Sequence, residues 1–216
     1  MALEPATDRP LRADAERNRE RVLEAARAAF AEGGLDVGLH EIAKRAGVGV
    51  GTVYRRFPDK ETLIEALFED RVDEVVALAE QALAHDDAFT GLRAFLESSC
   101  RMQADNRGLH QLVFHSDFGR RCAAGARERI APLVMQLVAR AQEQGTMRRD
   151  VAAFDVGMLR NTIGLLIERG GDVAAEVWPR LLAIALDGLR ADREHGELPG
   201  ETPSPELFEQ LLAQRG

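Results

Sequence analysis

The chain has 216 residues, 45% hydrophobic and 30% charged, which describes a globular protein able to bury a sizeable core as one or two domains and excludes a disordered polymer. No apolar run nears the roughly 20 residues of a membrane span, and MALEPATDRPLRADAERNRER has no apolar signal core, so a cytoplasmic protein without a membrane partner is expected. The formal net charge of -8 argues against diffuse binding to nucleic acid, and Cys100 and Cys122 lack any metal-ligand spacing and read as packed thiols.

Residues 1–14 hold two prolines, mixed charge and little apolar content, which predicts a flexible arm. From 17 to 32, Val22, Leu23, Ala26, Ala29 and Phe30 recur at helical spacing, and Gly33-Gly34 stops this first amphipathic helix. Leu39, Ile42, Ala43 and Ala46 mark a short second helix with Gly38 near its cap, and Gly47 falls where its end needs a left-handed residue. A segment over about 50–57 buries Val53 and Phe57 and shows Val50, Thr52, Arg55 and Arg56 to solvent, and Asp59 after Pro58 is placed to cap a helix starting at Lys60. Two short helices joined by a glycine turn and braced by an earlier helix make a helix-turn-helix domain over 15–60.

Charge distribution singles out the same stretch. From 39 to 60, Lys44, Arg45, Arg55, Arg56 and Lys60 face only Glu41 and Asp59, whereas 61–216 carries 17 basic and 26 acidic residues. One basic patch on an acidic body favours a single defined phosphate-contacting surface. Gly49 and Gly51 let the backbone approach a surface closely, Thr52 and Tyr54 offer hydroxyls to phosphate, and Arg55 has the fork that reads guanine bidentately.

IAKRAGVGVGTVYRRFPDKETLIEALF resembles the DNA-binding segment of the TetR-type transcriptional regulators, through Ile42-Ala43, Ala46-Gly47-Val48, Gly51-Thr52-Val53-Tyr54, Phe57, Lys60-Glu61 and Leu63. The resemblance is close over 17 to about 68 and architectural beyond. It implies that Tyr54 and Lys60 meet the DNA backbone, that Val50, Thr52 and Arg55 lie toward bases, and that His40 can reach the duplex. Lys44, Gly49, Gly51 and Arg56 complete the expected DNA surface. Gly38 and Gly49 depart from the family, which commonly has Ser or Thr caps there.

A long helix is predicted over 60–83, then helices at about 89–104, 108–115, 120–144, 152–169 and 178–193, so the chain is all-α with a second helical domain over 61–198. The last two are apolar on more than one face, at Leu159, Ile163 and Leu166 and at Leu181, Leu182, Ala185 and Leu189. Such helices are either buried inside one protomer or form a homodimer interface, and the resemblance implies the latter, with a palindromic operator. Phe95, Met102, Leu112, Phe114, Phe118, Met135, Met158 and Thr162, with Gln103, Asn161 and His115 as polar anchors, form a candidate pocket for a small, mainly apolar effector or an ordinary core. Residues 199–216 are a tail or a docking segment.

An enzyme is not expected. His110 and His115 are five apart, off a helical zinc-binding face, the glycines at 47, 49 and 51 lack a preceding strand and a P-loop lysine, and no cofactor is implied. The leading reading is a repressor released by a small molecule; the alternative is a regulator independent of effectors or controlled by a protein partner.

Overall fold

The computed structural model describes residues 8–105, 117–192, 196, 198 and 199, with side chains outside 8–13, 35, 117–123, 171–173 and 175. These residues form eight α-helices and one short 3₁₀ turn, and the sole pairing between extended segments is an isolated bridge between Met147 and Arg190. The helices are α1 (Asp8–Gly33), α2 (Leu39–Ala46), α3 (Val50–Arg56), α4 (Lys60–Leu83), α5 (Ala88–Asp105), α6 (Asp117–Glu143), α7 (Ala153–Arg169) and α8 (Gly171–Gly188). The all-α expectation holds. Two compact units divide at Asp70 and Arg71, so α4 begins in one and ends in the other.

In the first unit the apolar stripe of α1, Val22, Leu23, Ala26, Ala29 and Phe30, is buried with Ile42 and Ala43 of α2, Val53, Phe57, and Leu63 and Leu67 of α4. Burial of this stripe, and not helix propensity alone, holds such short helices as α2 and α3. The expected arm to residue 14 is corrected at its inner end, because α1 already includes Asp8 to Asp14. Pro10 sits in the first turn, where a missing N–H breaks no helical bond, and Leu, Arg, Ala and Glu then continue the helix. Arg19 and Arg27 of α1 both reach Asp70 of α4, at 2.9 and 3.2 Å.

The second unit buries Leu92, Phe95 and Leu96 of α5 with Leu137 and Val138 of α6, Ile163 and Ile167 of α7 and Trp178, Leu182 and Leu186 of α8. Asp87 caps α5, accepting from the Phe89 and Thr90 N–H groups at 3.0 and 3.4 Å and from the Thr90 hydroxyl at 2.7 Å. That hydroxyl bond is the first cause holding the Asp87 carboxyl below its ordinary pKa.

The predicted helix over 178–193 is displaced: α8 starts at Gly171 and ends at Gly188. Its core stripe begins at Ala174, one turn before Trp178, so burial carries the helix across Pro179 despite the hydrogen bond that proline forfeits. Past Gly188 the backbone pairs instead with the turn after α6, through Arg148 N–H to Leu189 O at 3.1 Å and Ala191 N–H to Thr146 O at 3.2 Å. The segment predicted at 108–115 and the tail from 200 onward lie outside the described residues.

Candidate nucleic-acid interface

The turn between α2 and α3 is set by Gly47, whose φ of 63° is left-handed. Its N–H donates to Lys44 O at 3.2 Å and the Val48 N–H to Ala43 O at 3.1 Å, the paired bonds that close a helix C-terminus. A side chain at 47 would carry backbone strain and bring its Cβ within 2.8 Å of Arg21 Nη2. Gly38 and Gly49 begin α2 and α3 in extended conformation with no side-chain cap bond.

Val53 and Phe57 anchor α3 in the core, four residues apart, which turns the rest of this short helix outward. Tyr54, Arg55 and Arg56 are exposed and Val50 and Thr52 half-buried. Among the described residues, Lys44, Arg55 and Arg56 meet no carboxylate in an ion pair. His40 and Lys44, one turn apart on α2, are exposed beside them, and the His40 ring meets Tyr54 edge-on at 5.8 Å. Open space surrounds the position where a Cβ would stand on Gly51, and on Gly49 one would reach only ordinary contact with Thr52 Oγ1 at 3.8 Å.

One feature departs from the sequence reading and one agrees with it. Arg45, counted in the basic patch, is engaged by Glu32 at 2.6 Å and Glu41 at 3.1 Å, and these bonds raise its pKa. The free charge is therefore carried by Lys44, Arg55, Arg56 and Lys60. The start of α4 is already capped by a carboxylate, since Asp59 accepts from the Thr62 N–H and hydroxyl at 2.7 Å each, which holds its pKa down. Lys60 is half-buried with Nζ 5.8 Å from the Phe30 ring centroid, a cation–π contact that steadies its stem beside this end. The sequence reading did not include α1 in this surface: Ala15, Asn18 and Arg19 line a shallow cleft with Thr52, Arg55 and Arg56. A polar residue on an otherwise solvated helix face gives no periodic signal.

In the second unit the candidate pocket residues do not share one environment. Phe95 and Gln103 are buried, Met102, Met158 and Asn161 half-buried, while Leu112, Phe114 and His115, and the Phe118 side chain, lie outside the described residues. Met135 and Thr162 are corrected: in this chain Met135 is 53% exposed, and exposed Thr162 turns its hydroxyl back to Met158 O at 2.9 Å. Each lies on the flank of its helix's core stripe, which holds Leu137 and Val138 on α6 and Ile163 on α7.

The expected dimer residues divide similarly. Ile163 is fully buried and Leu182 is 1% exposed, both inside this chain's own core, so neither can face a partner. Leu159, Leu166, Ala185 and Leu189 are half-buried, three of them packed on the core as leucines. Leu181 points outward with Val177 and Ile184, which were not among the expected dimer residues; the spacing of four and three residues defines a stripe of α8 beside that of Trp178, Leu182 and Leu186. Among the described residues no group of three His, Cys, Asp or Glu could hold a metal, and no helix is long and apolar enough to cross a membrane.

Two compact helical units, one built around a glycine-turned helix pair with exposed cations, define a helix-turn-helix regulator architecture. The description "Bacterial regulatory proteins, tetR family" matches residues 22–67, and "Transcriptional regulator SbtR-like, C-terminal domain" matches 87–191. A TetR transcription regulatory protein from Mycobacterium vanbaalenii has the same fold with a TM-score of 0.67 at 38% identity, covering 84% of this chain and 99% of that one. An HTH-type transcriptional regulator of Staphylococcus aureus is 31% identical over 107 residues, 48% of this chain, and the chain spans 57% of the length of that curated relative. The SmeT–triclosan complex shares the fold at 21% identity with a TM-score of 0.65, covering 87% of this chain and 99% of that one. The chain belongs to the TetR family, a family of transcriptional regulators and not of enzymes.

Proposed function

We propose that the chain is a sequence-specific DNA-binding regulator, a homodimeric repressor that holds a palindromic operator and is released by a small molecule. The observation that carries the first part is α3, whose buried Val53 and Phe57 leave Tyr54, Arg55 and Arg56 exposed beside His40 and Lys44. Arg55 reads a guanine edge, with Val50 and Thr52 toward the bases. Tyr54, Arg56, Lys44 and Lys60 fix register on phosphates, and Gly49 and Gly51 admit the backbone. The outward face of α8 supports a dimer, which would set two recognition helices about one DNA turn apart.

Effector release is supported by family kinship and by SmeT, a relative in fold that was solved with triclosan. The burial of Phe95 and the exposure of Met135 and Thr162 favour the second reading, a regulator without an effector, insofar as they leave fewer side chains for one enclosed site.

The test is a pair of variants in duplex-binding titrations. Arg55→Ala should lose about 1–3 kcal/mol on the specific site and little on random duplex, whereas Lys60→Ala should weaken both alike and lower the salt slope by about one. Equal losses on specific and random duplex in both variants would remove Arg55 from base reading.

A further inference from the structure

The cleft on the first unit has walls from two helices. Ala15, Asn18, Arg19 and Val22 stand at i, i+3, i+4 and i+7 of α1 and so share one face, and Thr52, Arg55 and Arg56 share a face of α3 by the same rule. Buried Val22, Val53 and Phe57 form the floor, since they tie both helices into the core. Asn18 and Thr52 are half-buried beside it, and Arg55 and Arg56 are exposed. About 210 Å³ lies between the walls, and no carboxylate lines it.

Arg19 is already engaged: Nη2 donates to Asp70 at 2.9 Å and Nη1 lies 3.6 Å from Glu16, so it stiffens the α1 wall without offering free charge. Asn18 differs. Among the described residues nothing hydrogen-bonds to its side-chain amide, and asparagine inside a helix is less favourable than alanine. Helix stability therefore does not account for it. Its position places a neutral donor across the cleft from two guanidiniums that meet no carboxylate among the described residues. Donors on both walls and no acidic group fit a ligand that only accepts, which is what a phosphodiester does. The major groove is about 12 Å wide and a helix with its side chains about 10–12 Å across, so a helix seated there meets a sugar-phosphate strand along each flank. The cleft is the flank of α3 toward α1.

We infer that one phosphate of the operator backbone enters this cleft and is gripped from both sides, with the Asn18 amide of α1 donating to it opposite Arg56 and the Thr52 hydroxyl. This inference rests on the DNA-binding reading and extends the contact surface to α1, ahead of residue 22 where the family match begins.

The experiment uses the full-length protein and two probes, a duplex selected by the wild type from a random library and the unselected pool. Asn18→Ala should weaken both by about ten-fold or more, the scale of a hydrogen bond to a charged group, with the salt slope unchanged because asparagine carries no charge. Asn18→Lys should regain affinity and steepen the slope by about one for each bound protomer. Phosphate-ethylation interference gives a readout that stability cannot move: one phosphate whose ethylation blocks the wild type should cease to matter for Asn18→Ala. Without DNA, Asn18→Ala should melt at the same or a higher temperature, because alanine is the better helix former. A purely structural asparagine gives the reverse, a lower midpoint with unchanged duplex affinity, and overturns the proposal. Wild-type affinity in Asn18→Ala, an unaltered salt slope in Asn18→Lys, or a loss confined to the selected duplex overturns it too. The two levels separate cleanly: if Arg56→Gln loses affinity while both Asn18 variants bind as the wild type does, DNA binding stands and the cleft contact falls, whereas a wild type that enriches no duplex and retains none of the pool removes both.

Discussion

Placing Glu at 184 tests the outward face of α8. Val177, Leu181 and Ile184 are 44%, 39% and 60% exposed, together about one and a half apolar side chains left in water. At about 1.5–3 kcal/mol for each fully buried side chain, covering them in a two-fold interface yields about 2–4 kcal/mol per protomer and about 4–8 per dimer. A micromolar dimer needs about 8 kcal/mol after the cost of association, so α8 must be joined by further surface, and the half-buried Leu159 and Leu166 of α7 are apolar candidates for it. Ile184→Glu removes about 1–2 kcal/mol of that burial from each protomer and adds a charge that two-fold symmetry brings in twice. The dissociation constant should rise by about 30- to 1000-fold. Sedimentation equilibrium reads the association and circular dichroism shows that the fold survives. Leu182→Ala is the control: at 1% exposure it faces the core, so it should cost about 2–5 kcal/mol of folding stability while leaving the folded protein associated. An Ile184→Glu protein that remains dimeric at low micromolar concentration refutes the assignment of this face.

Other perturbations probe the DNA-binding unit. Gly47→Ala forces a left-handed residue against Arg21 and should cost about 1 kcal/mol or more in denaturant unfolding, whereas Gly49→Ser, with only an ordinary contact at its Cβ and a vacant capping role, should gain a few tenths of a kcal/mol. Asp70→Asn weakens the clamp on Arg19 and Arg27, groups about a quarter exposed; the loss should fall near 1–3 kcal/mol, above that of a surface pair, and should shrink in high salt. The Asp59 carboxyl has a folded pKa below its unfolded value, chiefly because of the Thr62 N–H and hydroxyl bonds, so its contribution is present above the unfolded pKa and lost as pH falls through the folded one. Asp59→Asn should therefore flatten the acid decline of the melting temperature below about pH 4, and an unaltered acid limb counts against the cap.

What could be read from the sequence was local, and what could not was long-range. Leu39, Ile42, Ala43 and Ala46 repeat at helical spacing and all four are buried, and the glycine at 47 has the conformation its position demanded. Phase fails where a helix is apolar all round: Leu181 and Leu182 are indistinguishable by composition, yet the hundred-degree step between neighbours sends one to solvent and the other to the core. Net charge fails likewise, because Arg45 is neutralised by Glu32 across 13 positions, and Asp70 meets arginines 51 and 43 positions away.

The Asp70 clamp bears on how release could work. Asp70 is the last residue of the first unit and lies midway along α4, and its two bonds go to α1 at positions two turns apart. The start of α4 is fixed on the same side by buried Leu63 and Leu67, and α1 buries the same core that holds α2 and α3. A shift of α4 cannot slide past this unit without breaking two partly buried ion pairs and opening an apolar core. The lower-cost response is to carry α1, α2 and α3 along as one body. In the proposed dimer two such bodies must fit two grooves together, so a modest displacement lowers operator affinity with every contact inside the unit preserved. Such a switch requires the effector to favour one arrangement of α4 over the other by about 1–3 kcal/mol, and linkage then obliges operator DNA to weaken the effector by the same factor.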